Sequence, residues 1–139
     1  MPQAPLRILI VEDDAITALC FEDAASALGH VVVDVVDKGL EAIAAAEKHL
    51  PDLVLMDVSL RDGTDGVEAA KAIRCSSDIP SIFVTGNSDP STLARTKAAR
   101  PLLDPLIKPV SSTLIRRVLD HAAHVLELGR RPPQATAAK

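Results

Sequence analysis

Five short apolar runs recur along the chain at nearly even intervals, and that spacing constrains the fold more than any other feature of the sequence. They are "RILIV" from Arg7, "VVVDVV" from Val31, "LVLMD" from Leu53, "SIFVT" from Ser81 and "PLIK" from Pro105, with starts 24, 22, 28 and 24 residues apart. Each interval has room for one strand, one helix and the turns that join them. The runs are almost continuously apolar, where a half-exposed strand would alternate, so they are expected to be parallel strands covered on both faces.

Helical patterns fill the intervals. Ile16, Leu19, Cys20, Ala24, Ala27 and Leu28 form a first stripe, closed by Gly29 as a cap. Leu40, Ile43 and Ala44 open a second helix that ends before Pro51. Val67, Ala70 and Ile73 mark a third, and Leu93, Ala94 and Ala98 a fourth. The fifth carries Leu114, Ile115, Val118, Leu119, Ala122, Val125 and Leu126 behind Ser111 or Ser112 as N-cap. The alternation predicts an α/β domain over residues 1–128, with a doubly wound five-stranded parallel sheet and five helices. The proline-bearing polar remainder, 129–139, is expected to be a disordered tail.

The bulk of the chain agrees with one domain: 139 residues, 47% hydrophobic and 24% charged, can bury a sizeable core. Phe21 and Phe83 are the only aromatic residues, which argues against stacking on nucleic-acid bases. Cys20 and Cys75 lack the spacing of a zinc site or a disulfide framework. "MPQAPLR" has no apolar signal core, and no apolar run reaches the roughly 18 residues of a membrane span. A soluble, cytoplasmic protein is expected. Charge is unevenly spread, with a net −9 over residues 1–65 and +5 over residues 66–139. The basic half is either a docking face for a protein partner or a solvated surface.

Parallel sheets of this kind hold their sites outside the carboxyl ends of the strands. There the first run leads into Glu12 and Asp13, the third ends in Asp57, the fourth in Thr85 and the fifth in Lys108. Three carboxylates at one edge repel one another and lose solvation unless a cation neutralises them. No glycine-rich phosphate loop follows the first strand, and hard oxygen ligands suit Mg²⁺. A cation so held can receive a phosphoryl group. Metal, Lys108 and Thr85 would face its oxygens, and Asp57 would be the nucleophile that forms an acyl phosphate. Taken singly, each residue has an ordinary structural use, such as a strand-forming threonine or a snorkelling lysine. Only the joint pattern carries the reading.

The set "VEDD", "LMDVSL", "FVTG" and "LIKP", in that order and each at a predicted strand end, resembles the receiver domain of two-component response regulators over residues 5 to 128. The resemblance implies the flavodoxin-like receiver fold and a role for each matching residue. Asp57 would be the phosphoacceptor, Asp13 a direct Mg²⁺ ligand, Glu12 a partner bound through water, and Ser59 a main-chain carbonyl ligand. Thr85 and Lys108 would contact the phosphoryl group, Gly86 would leave it room, and a cis bond to Pro109 would aim the lysine. Asp14 would instead start the first helix, where a carboxylate meets the helix dipole. The implied function is that of a single-domain response regulator. It would take a phosphoryl group from a sensor histidine kinase or histidine phosphotransfer protein and catalyse only its own phosphorylation and dephosphorylation. It would act through protein contacts or phosphorelay, with no direct contact to nucleic acid or membrane.

Two positions depart from the family. Arg61 stands where receivers usually carry proline, although "RDGTDG" keeps turn chemistry through Gly63 and Gly66. Pro105 stands where they carry Tyr or Phe; a proline begins a strand acceptably but has no rotamer to switch. It also resembles a subgroup of stand-alone receivers. A signal is therefore expected to leave through Thr85, the "GNSDPS" loop and the fourth helix. Arg95, Lys97, Arg100, Arg116 and Arg117 lie on the helix 4, strand 5, helix 5 side, where receivers meet partners.

Only eleven residues follow Leu128 in this sequence, so output is expected through a protein partner or phosphorelay rather than an attached effector domain. The competing expectation is a receiver-like binding module independent of phosphorylation, suggested by Arg61 and Pro105. Strand-end phosphatases and nucleases need an aspartate two residues past the first, and Ala15 and Ser59 stand there instead. Cys20 is expected in the core and His49 at the surface; no function attaches to Cys75, His30, His121 or His124.

Overall fold

In the computed structural model, which describes residues 4–60 and 63–130, strands and helices alternate from end to end. The order is β1 (Arg7–Val11), α1 (Ala15–Ala27), β2 (Val31–Val36), α2 (Gly39–His49), β3 (Leu53–Asp57), α3 (Gly66–Ser77), β4 (Ser81–Thr85), α4 (Pro90–Ala98), β5 (Leu106–Ile107) and α5 (Ser112–Arg130). The strands form one parallel sheet in the order β2-β1-β3-β4-β5. The chain leaves β1 towards one edge and returns to the other side of it with β3, so a crevice opens at the carboxyl ends of these two strands.

Every residue of β3 and β4 is buried, which is why their sequences read as unbroken apolar runs. Two cores lie on opposite faces of the sheet. One packs Ile8, Ile10, Leu53 and Leu55 against Phe21 of α1 and Ile115 and Leu119 of α5. The other packs Leu9, Met56 and Phe83 against Ala42 and Ala46 of α2 and Val67 and Ile73 of α3.

The helix ends follow from local chemistry. Asp14, Asp65 and Asp89 cap α1, α3 and α4 by accepting from the amides of Thr17, Val67 and Thr92. Ser111 Oγ accepts from the Leu114 amide at 3.0 Å and opens α5. At the end of α1, Gly29 takes φ of +83°, with its amide on the Ser26 carbonyl at 3.0 Å and that of His30 on the Ala25 carbonyl at 2.9 Å. These paired bonds satisfy two of the carbonyls a helix end leaves open, and the left-handed backbone between them favours glycine.

The expected inner faces of three helices need correction. On α1, Ile16 is 80% exposed and Leu19 56%, while Ala18, Phe21, Ala24 and Ala25 are buried. On α2, Leu40 is 74% exposed and Ala42, Ala45 and Ala46 face inward. On α4, Ala94 and Ala98 are exposed and Thr96 is the one buried residue. The cause is common to α1 and α2: small residues let the helix lie close to the sheet, and apolar residues on most sides leave the periodicity ambiguous. Cys20 is only half-buried, and His49 is half-buried beside Asp34, its Nε2 3.5 Å from Oδ2.

Strand β5 has two residues, with Pro105 just before it, and is shorter than the run from Pro105 suggests. Helix α5 continues to Arg130, two residues into the expected tail; residues 131–139 lie outside the described residues, as does Arg61. Among the described residues, no helix is long and apolar enough to cross a membrane.

Candidate functional site

Register brings the acids together. Val11 at the end of β1 pairs with Met56, so Glu12 and Asp13, which follow β1, share an edge with Asp57 at the end of β3. One carboxylate oxygen from each of Glu12, Asp13 and Asp57 lies within 4.8 Å of the others. Lys108 arrives from the far side of β4, its backbone amide held on the Thr85 carbonyl at 2.8 Å. Its Nζ donates to Glu12 Oε2 at 3.2 Å and to Asp57 Oδ2 at 3.3 Å. The Lys108–Pro109 peptide is cis.

Two members of the cluster are deeply buried. The Glu12 and Asp57 side chains are only 1% and 3% exposed. Desolvation by burial, with the Asp57 charge adding to it, pushes the Glu12 carboxyl up to about 7, against the opposing pull of the Asp14 amide and Lys108. Burial pulls Lys108 down, but the charges of Asp57 and Glu12 outweigh it and hold the ammonium above its usual range. Glu12 Oε1 is buried without a hydrogen bond, although the Lys108 ammonium stands 3.2 Å away. Clustered hard oxygens beside the Lys108 ammonium, with Glu12 Oε1 unsatisfied among the described residues, fit a divalent cation such as Mg²⁺.

Other expected site residues surround this cluster. The Ser59 amide donates to Asp57 Oδ1 at 3.1 Å, and the Ser59 backbone forms an antiparallel bridge with Asp65. Thr85 is buried at the end of β4, but its hydroxyl is engaged with Asn87: it accepts from the Asn87 amide at 3.0 Å and donates to the Asn87 carbonyl at 3.1 Å. A Cβ on Gly86 would meet no atom within 4 Å, so the glycine relieves no contact here. Asp14 accepts from the Thr17 amide at 3.0 Å, as a helix start should, and its own amide donates to Glu12 Oε2 at 3.1 Å. Pro105 is half-buried beside a groove of about 340 Å³ between α4 and β5.

Some contributors were hidden from the sequence. Gly66 was read as turn chemistry, yet its φ is not positive; instead, a Cβ there would come within 1.9 Å of the Asp57 carbonyl oxygen. The loop after β3 closes tightly against the backbone of Asp57, with the Gly66 amide on the Val58 carbonyl at 2.9 Å. Arg95, read as part of a basic face, pairs with Asp65 across 30 residues of sequence. No local pattern announces that pair.

Comparison with known proteins agrees with this geometry. The response regulator receiver domain family matches residues 8–120. A transcriptional regulatory protein of Mycobacterium tuberculosis, PdtaR, is 34% identical over 107 residues, covering 77% of this chain and 51% of that protein. The phyllosphere-induced regulator PhyR of Methylorubrum extorquens is 36% identical over 80 residues, covering 57% of this chain and 30% of its own length. The chain thus spans about half or less of these two relatives. Among solved structures, the signal receiver domain of a modulated diguanylate cyclase from Desulfovibrio desulfuricans superposes with a TM-score of 0.80 at 33% identity, over 91% of this chain and all of that one. With fold, strand-end acids and lysine arranged as they are, this chain belongs to the response regulator receiver domain family.

Proposed function

We propose that the protein is a single-domain response regulator that accepts a phosphoryl group on Asp57 in a Mg²⁺-dependent reaction and signals through protein contacts or phosphorelay. The observation that carries this reading is the convergence of Glu12, Asp13 and Asp57 within 4.8 Å, with Lys108 on Asp57. Glu12, Asp13, Asp57 and the Ser59 carbonyl would hold the cation. When bound, Mg²⁺ offsets carboxylate repulsion and withdraws negative charge from the phosphoryl oxygens.

A carboxylate oxygen of Asp57 attacks the phosphorus of a phosphohistidine. The P–N bond breaks with its electron pair on the departing imidazole, which leaves neutral when its other nitrogen carries a proton. Lys108 is placed to follow the incoming oxygens, since its ammonium already rests on the acceptor carboxylate. Thr85 reaches them by giving up its hydrogen bond to the Asn87 carbonyl, and Gly86 offers the space that a larger residue would fill. The chain catalyses only its own phosphorylation and dephosphorylation. Its donor is a sensor histidine kinase or histidine phosphotransfer protein, its downstream partner meets the α4–β5–α5 face, and it works in the cytoplasm.

Incubation with acetyl phosphate and Mg²⁺, followed by intact-mass measurement, tests the proposal. One phosphoryl group is expected on the wild type, and none on Asp57→Ala or in EDTA. Sustained release of many phosphates per protein from a small phosphomonoester would overturn it in favour of a phosphatase. A second reading, a binding module independent of phosphorylation, draws support from Pro105, whose apolar groove with Leu93 and Ile107 needs no switching ring. It predicts that Asp57→Ala leaves partner binding unchanged.

A further inference from the structure

Helix α4 is tied to the strand-end edge by two polar routes, the second of which reaches Asp57. The first runs along β4: Thr85 bonds to Asn87, and Asn87 Oδ1 accepts from the amide of Asp89, the cap of α4, at 3.0 Å. The second crosses the sheet edge. Arg95 Nη2 donates to Asp65 Oδ2, while Asp65 Oδ1 accepts from the Val67 amide at 2.8 Å and caps α3. The Asp65 backbone bridges to Ser59, whose amide holds Asp57 Oδ1 at 3.1 Å. Between the two routes lies a polar cavity of about 280 Å³, lined by Ser59, Thr64, Asn87 and Thr92, with Arg95 and Asp65 also on its wall.

We propose that Arg95 is a positioning residue for the acceptor site: from α4 it fixes Asp65, and through Asp65 the Ser59 backbone, so that cation affinity at Glu12, Asp13 and Asp57 depends on where α4 sits. This rests on the reading of the acid cluster as a Mg²⁺ site. The geometry favours it for three reasons. Asp65 uses its two oxygens for different elements, so the ion pair acts on a residue that α3 already orients. Close contact between Gly66 and the Asp57 carbonyl leaves the loop no slack on its inner side. Helix α4 buries only Thr96, so a single ion pair is a large share of what locates it. Coupling of this kind is reciprocal: a ligand that fixes α4 with the pair intact tightens the cation site, and the bound cation favours that position of α4.

The test is Mg²⁺ binding by titration calorimetry to the unphosphorylated full chain, with amide exchange of Ser59 recorded without metal. Arg95→Gln is expected to weaken Mg²⁺ about two- to fivefold, the scale of a partly exposed ion pair. Asp65→Asn keeps a capping side chain on α3 and should weaken it equally. The double variant should add nothing further, because both changes remove one interaction. Arg95→Lys should recover part of the affinity. Ser59 exchange should quicken in both single variants while their urea midpoints stay at the wild-type value, which a merely structural role would not produce. Wild-type affinity and wild-type Ser59 exchange in both Arg95→Gln and Asp65→Asn would overturn the inference and leave the receiver reading intact. A wild type that binds no Mg²⁺ and takes up no phosphoryl group would overturn both.

Discussion

The two flanks of Asp57 are built from different materials. On the β1–β3 flank, strands with no more than 1% exposure at Ile8 to Val11 and Leu53 to Met56 lead directly into the acids, and helices lie close on both faces. On the β4–α4–β5 flank, β5 has two residues, α4 buries only Thr96, and the links are hydrogen bonds and one ion pair. Apolar packing has one low-energy arrangement and resists displacement, whereas polar links at a surface can be exchanged for others of similar strength. The first flank suits an acceptor whose geometry must not drift. The second suits an element that changes partners when Asp57 is modified. With Pro105 at the position where receivers carry an aromatic ring, that change is proposed to run through Thr85, Asn87 and α4.

Mutations should separate the flanks by size of effect. Phe21→Ala, on the packed flank, is expected to cost about 3–5 kcal/mol in urea unfolding, since it empties a site that is 2% exposed. Ile16→Ala on the same helix should cost less than about 0.5 kcal/mol, because Ile16 is 80% exposed. Equal losses would mean that the inner face of α1 is wrongly placed. With no Trp or Tyr in the chain, these transitions are followed by circular dichroism.

Gly66→Ala comes next, at about 1–3 kcal/mol, because its Cβ would meet the Asp57 carbonyl and force the loop outward. Its phosphoryl uptake should fall as well, and a variant with wild-type uptake would show that the acceptor tolerates a displaced loop. Asp89→Ala, on the polar flank, should destabilise α4 by removing its N-cap. Its unfolding loss should be smaller than that of Phe21→Ala, while exchange of α4 amides quickens. The smallest effect is a pH slope. Burial, its main cause, lowers His30, whose Nδ1 accepts from the Leu6 amide at 3.0 Å. The neutral ring is the form that folds, so its contribution is present above the ordinary value of 6.5 and fades as pH falls through the lower folded value. His30→Gln should flatten that part of the stability profile, and an unchanged slope would remove His30 from it.

The sequence was legible where one residue type had one physical use. Val, Ile and Leu in unbroken runs mark strands buried on both faces, and acids or a lysine directly after them mark the ligand edge. It was illegible where small residues did the packing: Ala42 and Ala46 face the core of α2 while Leu40 points outward. Gly63 and Gly66 look alike in "RDGTDG", yet Gly63 has φ of +85° and Gly66 is required by a close approach. The Arg95–Asp65 pair joins residues 30 apart, and only the folded chain brings them together.

The contrast between the flanks is tested most directly by amide hydrogen exchange on the protein before and after phosphorylation by acetyl phosphate and Mg²⁺. Exchange is expected to change at Gly86 to Asp89 and across α4, while β1 and β3 keep their protection. Stoichiometric phosphorylation that left α4 unchanged, or that loosened β1 and β3 instead, would contradict the division of labour proposed for the two flanks.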